Sequence, residues 1–389
     1  MDVVKHTFNI VLEPITPTHV WNGVRSVLGL DLVIDGSKYC VVDVESIELG
    51  IDEVSDIFSK RVDVRELTGL VGKLYREGKV RCKRVYDVDL KTSLQGVSEV
   101  KLINDLLIPG SALKGYIRTA ILNYLLTQDL RIKGLDYVKQ LLDANIDLSA
   151  DPKYASLNLE SYYLRAPRFR TQRGFIDLLQ SLLVSDVVKS EGVGLCIRDS
   201  YIYDLTGKLI ARLIIETLDK GSLHYKVDIL KLGDTSITQL AKGLRGLEKK
   251  FLDILALIDG LKLYEPEKFL EILRTYSGLV IKDELGKVSK FSEVLKRVGI
   301  DVSGYAGLLN DLLRSVYVGR CVPIRIGFMT SHKAKTIDSF LSSNFRDKYD
   351  ELCSVMSQRY HHLWDDSTLK LVWFNKSFYG LGWVRLCVV

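Results

Sequence analysis

The stretch IPGSALKGYIRTA, residues 108–120, decides the fold. Pro109–Gly110 turns the chain, and Ser111 is a residue of the type that caps helices. Leu113, Ile117, Ile121, Tyr124 and Leu125 then recur at helical spacing. The pattern predicts a helix capped by Ser111 with one apolar stripe for a core. Its first turn carries free N–H groups and the positive end of the helix dipole, a local setting that favours an anion. Lys114 and Arg118 are four residues apart and share a face. A helix buried on one side and basic on the other can dock a phosphate backbone. The same spacing also suits a solvated basic face, which is common on surface helices.

Strands surround this helix in the sequence. TFNIVLE, from Thr7 to Glu13, alternates apolar and polar residues and predicts a strand that PITP ends. Strands are expected around 30–34 and 39–44, joined by a tight hairpin turn at Asp35–Gly36. Further strands are expected over 195–203, 210–217, 223–230, 369–374 and 383–388. A helical tract is expected through much of 237–298. Residues 52–84 are charged and moderately helical and read as an insertion. The order of elements is that of two α/β units with helical decoration rather than a regular βαβα alternation. The expected organisation is a first unit over 1–205 with an insertion near 52–99, and a second over 206–389 with a helical insertion near 235–313.

The composition sets bounds. The chain has 389 residues, 47% of them hydrophobic and 26% charged, ordinary for a globular protein able to bury large cores. Against 49 Asp and Glu stand 54 Lys and Arg, a net charge of +5 that permits nucleic acid without demanding it; clustering matters more. The N-terminus lacks the basic and apolar regions of a signal peptide, and no apolar run is long enough to span a bilayer. A cytoplasmic protein with no membrane partner is expected. The six cysteines are scattered, without a CxxC, and are expected to be free buried thiols in a reducing compartment.

Three more segments can carry chemistry. LRAPRFRTQRG holds Arg165, Arg168, Arg170 and Arg173 around Phe169. Arginine pairs bidentately with phosphate and stacks on bases. The alternative is an exposed basic loop without a partner. IRIGFMTSHKAKT, residues 324–336, runs from a strand into Gly327 and then offers Ser331, His332, Lys333 and Lys335. The spacing is not that of a P-loop, yet amides, hydroxyls and cations in one loop suit a curved polyanion. A β-turn with surface lysines fits as well. In the opening segment LEPITPTHVWNG, His19 is a candidate acid or base and Trp21 a candidate stacking surface. A structural histidine beside a core tryptophan is the competing assignment. No metal-ligand cluster, nucleophile motif or cofactor fingerprint is visible, so no metal or cofactor is expected. His361–His362 is a tandem pair without a ligand set around it.

Taken in order, these segments resemble the RAMP superfamily of CRISPR-associated proteins. IPGSALKGYIRTA resembles that family's IPGSSLKGxxRxxL helix start. LEPITPTHVWNG is similar to its opening lxPvHIGsG, and LLVSDVV at 182–188 to its VSD segment. IIETLDKGSLHYKV at 214–227 resembles its xEtlpxGtxF strand. IRIGFMTSHKAKT resembles its lrlGxgtGxxxKT loop, and GLGWVRL at 380–386 its pLGWxkl ending. The resemblance covers most of the chain and is weak over 52–99 and across the helical block after Thr235.

The resemblance implies two ferredoxin-like, RRM-related units in a subunit of a type III CRISPR effector ribonucleoprotein. It implies partnership with CRISPR RNA, with the backbone and small subunits of the effector, and with recruited host nucleases that mature the RNA 3′ end. The expected role is non-catalytic: holding the 3′ part of the CRISPR RNA. On this reading the RNA-binding set is His19, Trp21, Gly110, Ser111, Lys114, Arg118, Arg165, Arg168, Arg170, Arg173, Gly327, Ser331, Lys333 and Lys335. Lys114, Arg118, Arg168, Arg170 and Lys333 are expected on one continuous positive surface. Two rivals stand beside it: a metal-independent CRISPR RNA-processing endoribonuclease using His19, and a protein–protein adaptor that touches no RNA.

Overall fold

A computed structural model describes residues 3–48, 50–52, 55, 64–92, 99–147, 157–167, 175–232, 259–360 and 367–389. Its centre is a long antiparallel hairpin, β10 (Lys189–Asp204) and β11 (Leu209–Leu232). On the β11 side lie β1 (Val3–Pro14), β15 (Trp383–Val388) and β12 (Cys321–Arg325). On the β10 side lie β5 (Cys82–Asp89), β4 (Lys38–Val42) and β3 (Leu32–Asp35). Branches from this path are β2 (Trp21–Val27) on β6 (Glu99–Ile103), β6 and β9 (Leu182–Val184) on β11, and β13 (Thr368–Phe374) on β10 with β14 (Ser377–Tyr379) beyond it. Together they form one open 13-stranded sheet. A separate ribbon pairs β7 (Arg165–Pro167) with β8 (Phe175–Asp177).

The local sequence explains much of this. In β1 the alternation buries Phe8, Ile10 and Leu12 and leaves Thr7 and Asn9 exposed. Asp35 faces Lys38 across the expected hairpin turn. The expected strands over 210–217 and 223–230 are one strand, β11. The intervening Lys220–Gly221 forms a bulge opposite 191–194 rather than a turn. Leu205, the expected break between units, lies in the tight turn of the central hairpin, where the Asp204 carboxylate accepts from the Thr206 and Lys208 amides.

Helices cover the sheet. They are α1 (Val64–Arg76), α2 (Gly110–Lys133), α3 (Leu135–Asn145), α4 (Leu157–Leu164), α5 (Pro266–Arg297), α6 (Ser303–Ser315), α7 (Asp338–Asn344) and α8 (Arg346–Tyr360). The predicted stripe of α2 is buried at Leu113, Ile117, Ile121 and Leu125. From the helical tract expected over 237–298, α5 supplies Phe269, which meets Phe8 of β1 edge-on at 5.1 Å; residues 233–258 lie outside the described residues. No helix among the described residues is long and apolar enough to cross a membrane.

Four of the six cysteines are not free thiols. Cys40–Cys82 links β4 to β5, and Cys321–Cys387 links β12 to β15. Cys40 and Cys82 lie on paired strands across a register shift, and Cys321 and Cys387 are direct cross-strand partners with Cα atoms 4.0 Å apart. Sequence separations of 42 and 66 hid these neighbours. Cys196 and Cys353 are free.

A buried polar network ties α5 to the sheet. Arg325 on β12 pairs with Glu284 on α5 at 2.6 Å and donates from Nε to the Leu381 carbonyl. The Tyr305 hydroxyl donates to Glu284 and accepts from Trp383 Nε1. Burial alone would push the Glu284 carboxyl up. Arg325, Lys287 and the Tyr305 hydroxyl more than offset this and hold it below its ordinary range. Removing one partner of such a pair strands a charge in the interior. Arg325→Met should therefore cost about 3–5 kcal/mol in urea unfolding, and adding Glu284→Leu should recover much of the loss. A single variant as stable as the parent would contradict this account of the network.

Candidate nucleic-acid interface

The opening segment and the glycine loop meet through their backbones. The Phe328 N–H donates to the His19 carbonyl at 2.6 Å. Gly327 sits at φ +107°, and a Cβ there would collide with that same carbonyl, so only glycine allows the approach. Beyond it, Met329 and Ser331 stand where the resembled pattern has glycines. Both take left-handed φ, +60° and +72°. The glycine-type loop path is thus retained by residues for which it is strained.

The start of α2 comes to the same place. Its N-cap is Pro109, not Ser111; Ser111 is an exposed first-turn residue without a capping bond. The cap is supplied from elsewhere: the Asp186 carboxylate accepts the Gly110 N–H at 2.8 Å. A Cβ on Gly110 would collide with the Ser185 carbonyl. The anion expected at this helix end is therefore, in part, the protein's own Asp186. Along α2, Gly115 and Thr119 face the glycine loop, and the Thr119 hydroxyl donates to the Lys335 carbonyl at 3.2 Å.

These segments enclose a cleft of about 420 Å³ whose lining includes Trp21, Gly115, Thr119, Gly327, Phe328 and Lys335. Trp21 and Phe328 stand at its wall with ring centroids 6.3 Å apart, and Trp21 is 37% exposed. Lys101 Nζ lies 3.9 Å from the Trp21 ring centre and 5.6 Å from that of Phe328; the Arg25 guanidinium lies 5.9 Å from Trp21. Partial burial, together with Arg25, lowers the Lys101 pKa, while Glu99 opposes the shift. Arg25, Lys101 and Arg212 continue into a second groove of about 400 Å³. The sequence pattern alone does not mark Lys101 or Arg25 as site residues. They become neighbours because β2 and β6 pair with Arg25 opposite Lys101, a register invisible in either segment alone.

His19 is fully buried. Its Nδ1 lies 2.6 Å from the Glu216 carbonyl, which can only accept, so Nδ1 carries the proton. Nε2 is buried without a hydrogen-bond partner. Burial and the nearby Lys101 lower its pKa to about 4, against the raising effect of the Glu216 carbonyl. The Glu216 side chain is itself buried, accepting from Tyr39 and from the Ile103 amide, with burial raising its pKa.

Several expected contacts turn inward instead of lining one positive surface. Arg118 pairs with Asp177 at 2.6 Å and Glu160 at 2.8 Å, and Arg165 lies 3.8 Å from the same two carboxylates. This quartet fastens the β7–β8 ribbon to α2. Lys333 is buried, 3.3 Å from Asp283 of α5 and over the Tyr349 ring. Ser331 is buried as well. Lys114 is half-buried beside Asp177 and Arg118, and Lys335 is exposed. Arg168, Arg170 and Arg173, like His361 and His362, lie outside the described residues. Among the described residues no group of three or more His, Cys, Asp or Glu is placed to hold a metal ion.

No family model matches the chain, and no curated protein matches it in sequence. Solved structures match in fold. One is a chain of a Csm–crRNA–target RNA ternary complex of a type III-A CRISPR-Cas system determined by cryo-EM, with a TM-score of 0.63 and 19% identity over 98% of this chain and 100% of that one. Another is the crystal structure of T. onnurineus Csm5, with a TM-score of 0.50 and 17% identity over 96% and 99%. This chain shares its fold with both.

The buried neutral His19 sets a pH dependence. Its folded pKa is about 4 and its ordinary value 6.5. Between those values the unfolded chain binds the proton and the folded chain does not, so stability falls as pH drops from 6.5 towards 4. The full effect is on the order of 3 kcal/mol. The stability difference between the parent and His19→Gln, followed by urea unfolding across this range, should shrink with falling pH. A pH-independent difference would show that the imidazole titrates normally.

Proposed function

We propose that this chain is a Csm5-like, RNA-binding subunit of a type III CRISPR effector ribonucleoprotein. It holds a single-stranded part of the CRISPR RNA along the Trp21–Phe328 cleft, with other effector subunits as its protein partners. One observation carries the reading. Three segments far apart in sequence converge on a cleft with two accessible aromatic rings flanked by Lys101, Arg25 and Lys335. Stacking rings beside cations are what a single strand requires, since every base has a π face and every nucleotide a phosphate. The fold shared with a chain of an RNA-containing Csm complex supports the choice of RNA. Holding the 3′ part of the guide, and recruiting nucleases that trim it, is the finer role this reading assigns.

The chain has, on this proposal, no turnover of its own. Support comes from His19: a fully buried imidazole with a pKa near 4 is a poor base and is shielded from any 2′-hydroxyl. Repeat RNA incubated with the purified protein, with and without Mg²⁺, should stay intact. Defined products lost on His19→Gln while RNA binding persists would establish the nuclease instead.

Fluorescence anisotropy with a labelled single-stranded RNA tests the cleft. Trp21→Ala should weaken binding by about 1–3 kcal/mol, the range for loss of one stacked base. Lys101→Ala should weaken it across sequences and reduce the log–log salt slope by about 0.7, one phosphate contact on a single strand. Parent-like affinity and slope in both variants would exclude the cleft as the RNA site.

A further inference from the structure

Glu216 lies on β11 and is fully buried. Its side chain and its backbone join four segments that are distant in sequence. The carboxylate accepts from the Tyr39 hydroxyl of β4 at 2.7 Å and from the Ile103 N–H of β6 at 3.0 Å. It also lies 3.5 Å from the Arg84 guanidinium of β5. The backbone carbonyl accepts from His19 Nδ1 in the opening segment at 2.6 Å.

The bond to Ile103 matters most for the cleft. β6 pairs with β11 at Val100 and Lys101, opposite Ile214 and Ile215. Ile103 lies just past that ladder and is fully buried, so its amide needs an acceptor. The Glu216 side chain supplies one where the backbone pairing has stopped. Ile103 is also the register partner of Trp21, and the next amide, that of Asn104, donates to the Val20 carbonyl at 2.7 Å. Holding Ile103 therefore holds Trp21, and it holds Lys101 two residues earlier on the same strand. Burial raises the pKa of the Glu216 carboxyl in spite of Arg84, Tyr39 and the Ile103 amide. A carboxylate in the interior is costly, and packing alone would favour an apolar side chain here. Reach explains the choice better: aspartate would end about 1.5 Å short, the length of one C–C bond.

We propose that Glu216 is a positioning residue for RNA: by its length it fixes β6 against β11, so that the Lys101 ammonium and the Trp21 ring meet a nucleotide together. The inference rests on the Trp21–Phe328 cleft being the RNA site. Glu216 touches no RNA itself, because it is fully buried, and acts through Trp21 and Lys101. Its reach matters here, and its charge does not.

Two substitutions separate reach from charge. Glu216→Asp keeps the carboxylate and shortens it, whereas Glu216→Gln keeps the length and an acceptor for the Ile103 amide. The first readout needs no RNA: the Trp21 indole N–H resonance in ¹H–¹⁵N spectra of the full chain, assigned by its loss in Trp21→Phe. Glu216→Asp should move this resonance, and Glu216→Gln should leave it at the parent position. The Trp383 indole, whose N–H donates to Tyr305, should stay in place in both variants and controls for general loosening. The second readout is fluorescence anisotropy with a labelled single-stranded RNA. Glu216→Asp should bind about tenfold more weakly, a loss of the size of one stacked base, and Glu216→Gln should bind as the parent does. Adding Lys101→Ala to Glu216→Asp should cost less than Lys101→Ala costs in the parent, because coupled residues are not additive. An unmoved Trp21 resonance in Glu216→Asp, or one that Glu216→Gln moves equally, would overturn the proposal. So would parent-like RNA affinity in Glu216→Asp when Trp21→Ala is weakened. A resonance that moves as expected beside parent-like affinity in both Glu216→Asp and Trp21→Ala would instead overturn the cleft as the RNA site, leaving Glu216 as the holder of its wall.

Discussion

The Phe328 amide reaching the His19 carbonyl across Gly327 is the contact on which the cleft depends. It forces the opening segment against the glycine loop and leaves no room for a side chain between them. Once these backbones are in contact, Trp21 and Phe328 must stand near each other. The Ile326 amide bonding to the Gly382 carbonyl, and the Gly382 amide to that of Pro17, extend the same seam to the C-terminal strand. Residues near both ends of the chain therefore hold one wall of the cleft, and α2 supplies the other.

Burial sorts the charges of this region into two jobs. Arg325 with Glu284 and Lys333 with Asp283 are withdrawn from solvent and face one another, while Arg118 and Arg165 are half-buried against Asp177 and Glu160. Interior charges of this kind are tolerated only with their partners, so they fix geometry and have little left for an incoming strand. Trp21, Lys101, Arg25 and Lys335 are the groups at the wall and rim. A basic sequence segment is thus a poor guide to a basic surface: of the charged residues in the glycine loop, Lys333 points into the scaffold while Lys335, two positions on, lines the cleft.

What could be read from the sequence follows the range of the interactions involved. The stripe of α2, the Asp35–Gly36 hairpin and the strand entering Gly327 are set by residues close in the chain, and periodicity and turn chemistry exposed them. Long-range features were hidden. Ser111 looked like a cap, but Asp186, 76 residues from Gly110, performs that task. The cysteines looked isolated until the strand register set Cys321 opposite Cys387. Lys101 lies on a short strand with no motif of its own, and only the pairing of β6 with β2 carries it over Trp21. His19 is of a residue type suited to acid–base chemistry, and its complete burial is set by the fold and not revealed by composition.

Photocrosslinking tests the central claim most directly. A single-stranded RNA carrying 4-thiouridine at successive positions, irradiated on the purified protein and mapped by mass spectrometry, should place crosslinks on peptides containing Trp21, Lys101 and Phe328. Trp21→Ala should remove the first of these. Crosslinks confined to other faces, such as α1 or α6, with none on those three peptides, would contradict the assignment of the cleft as an RNA site.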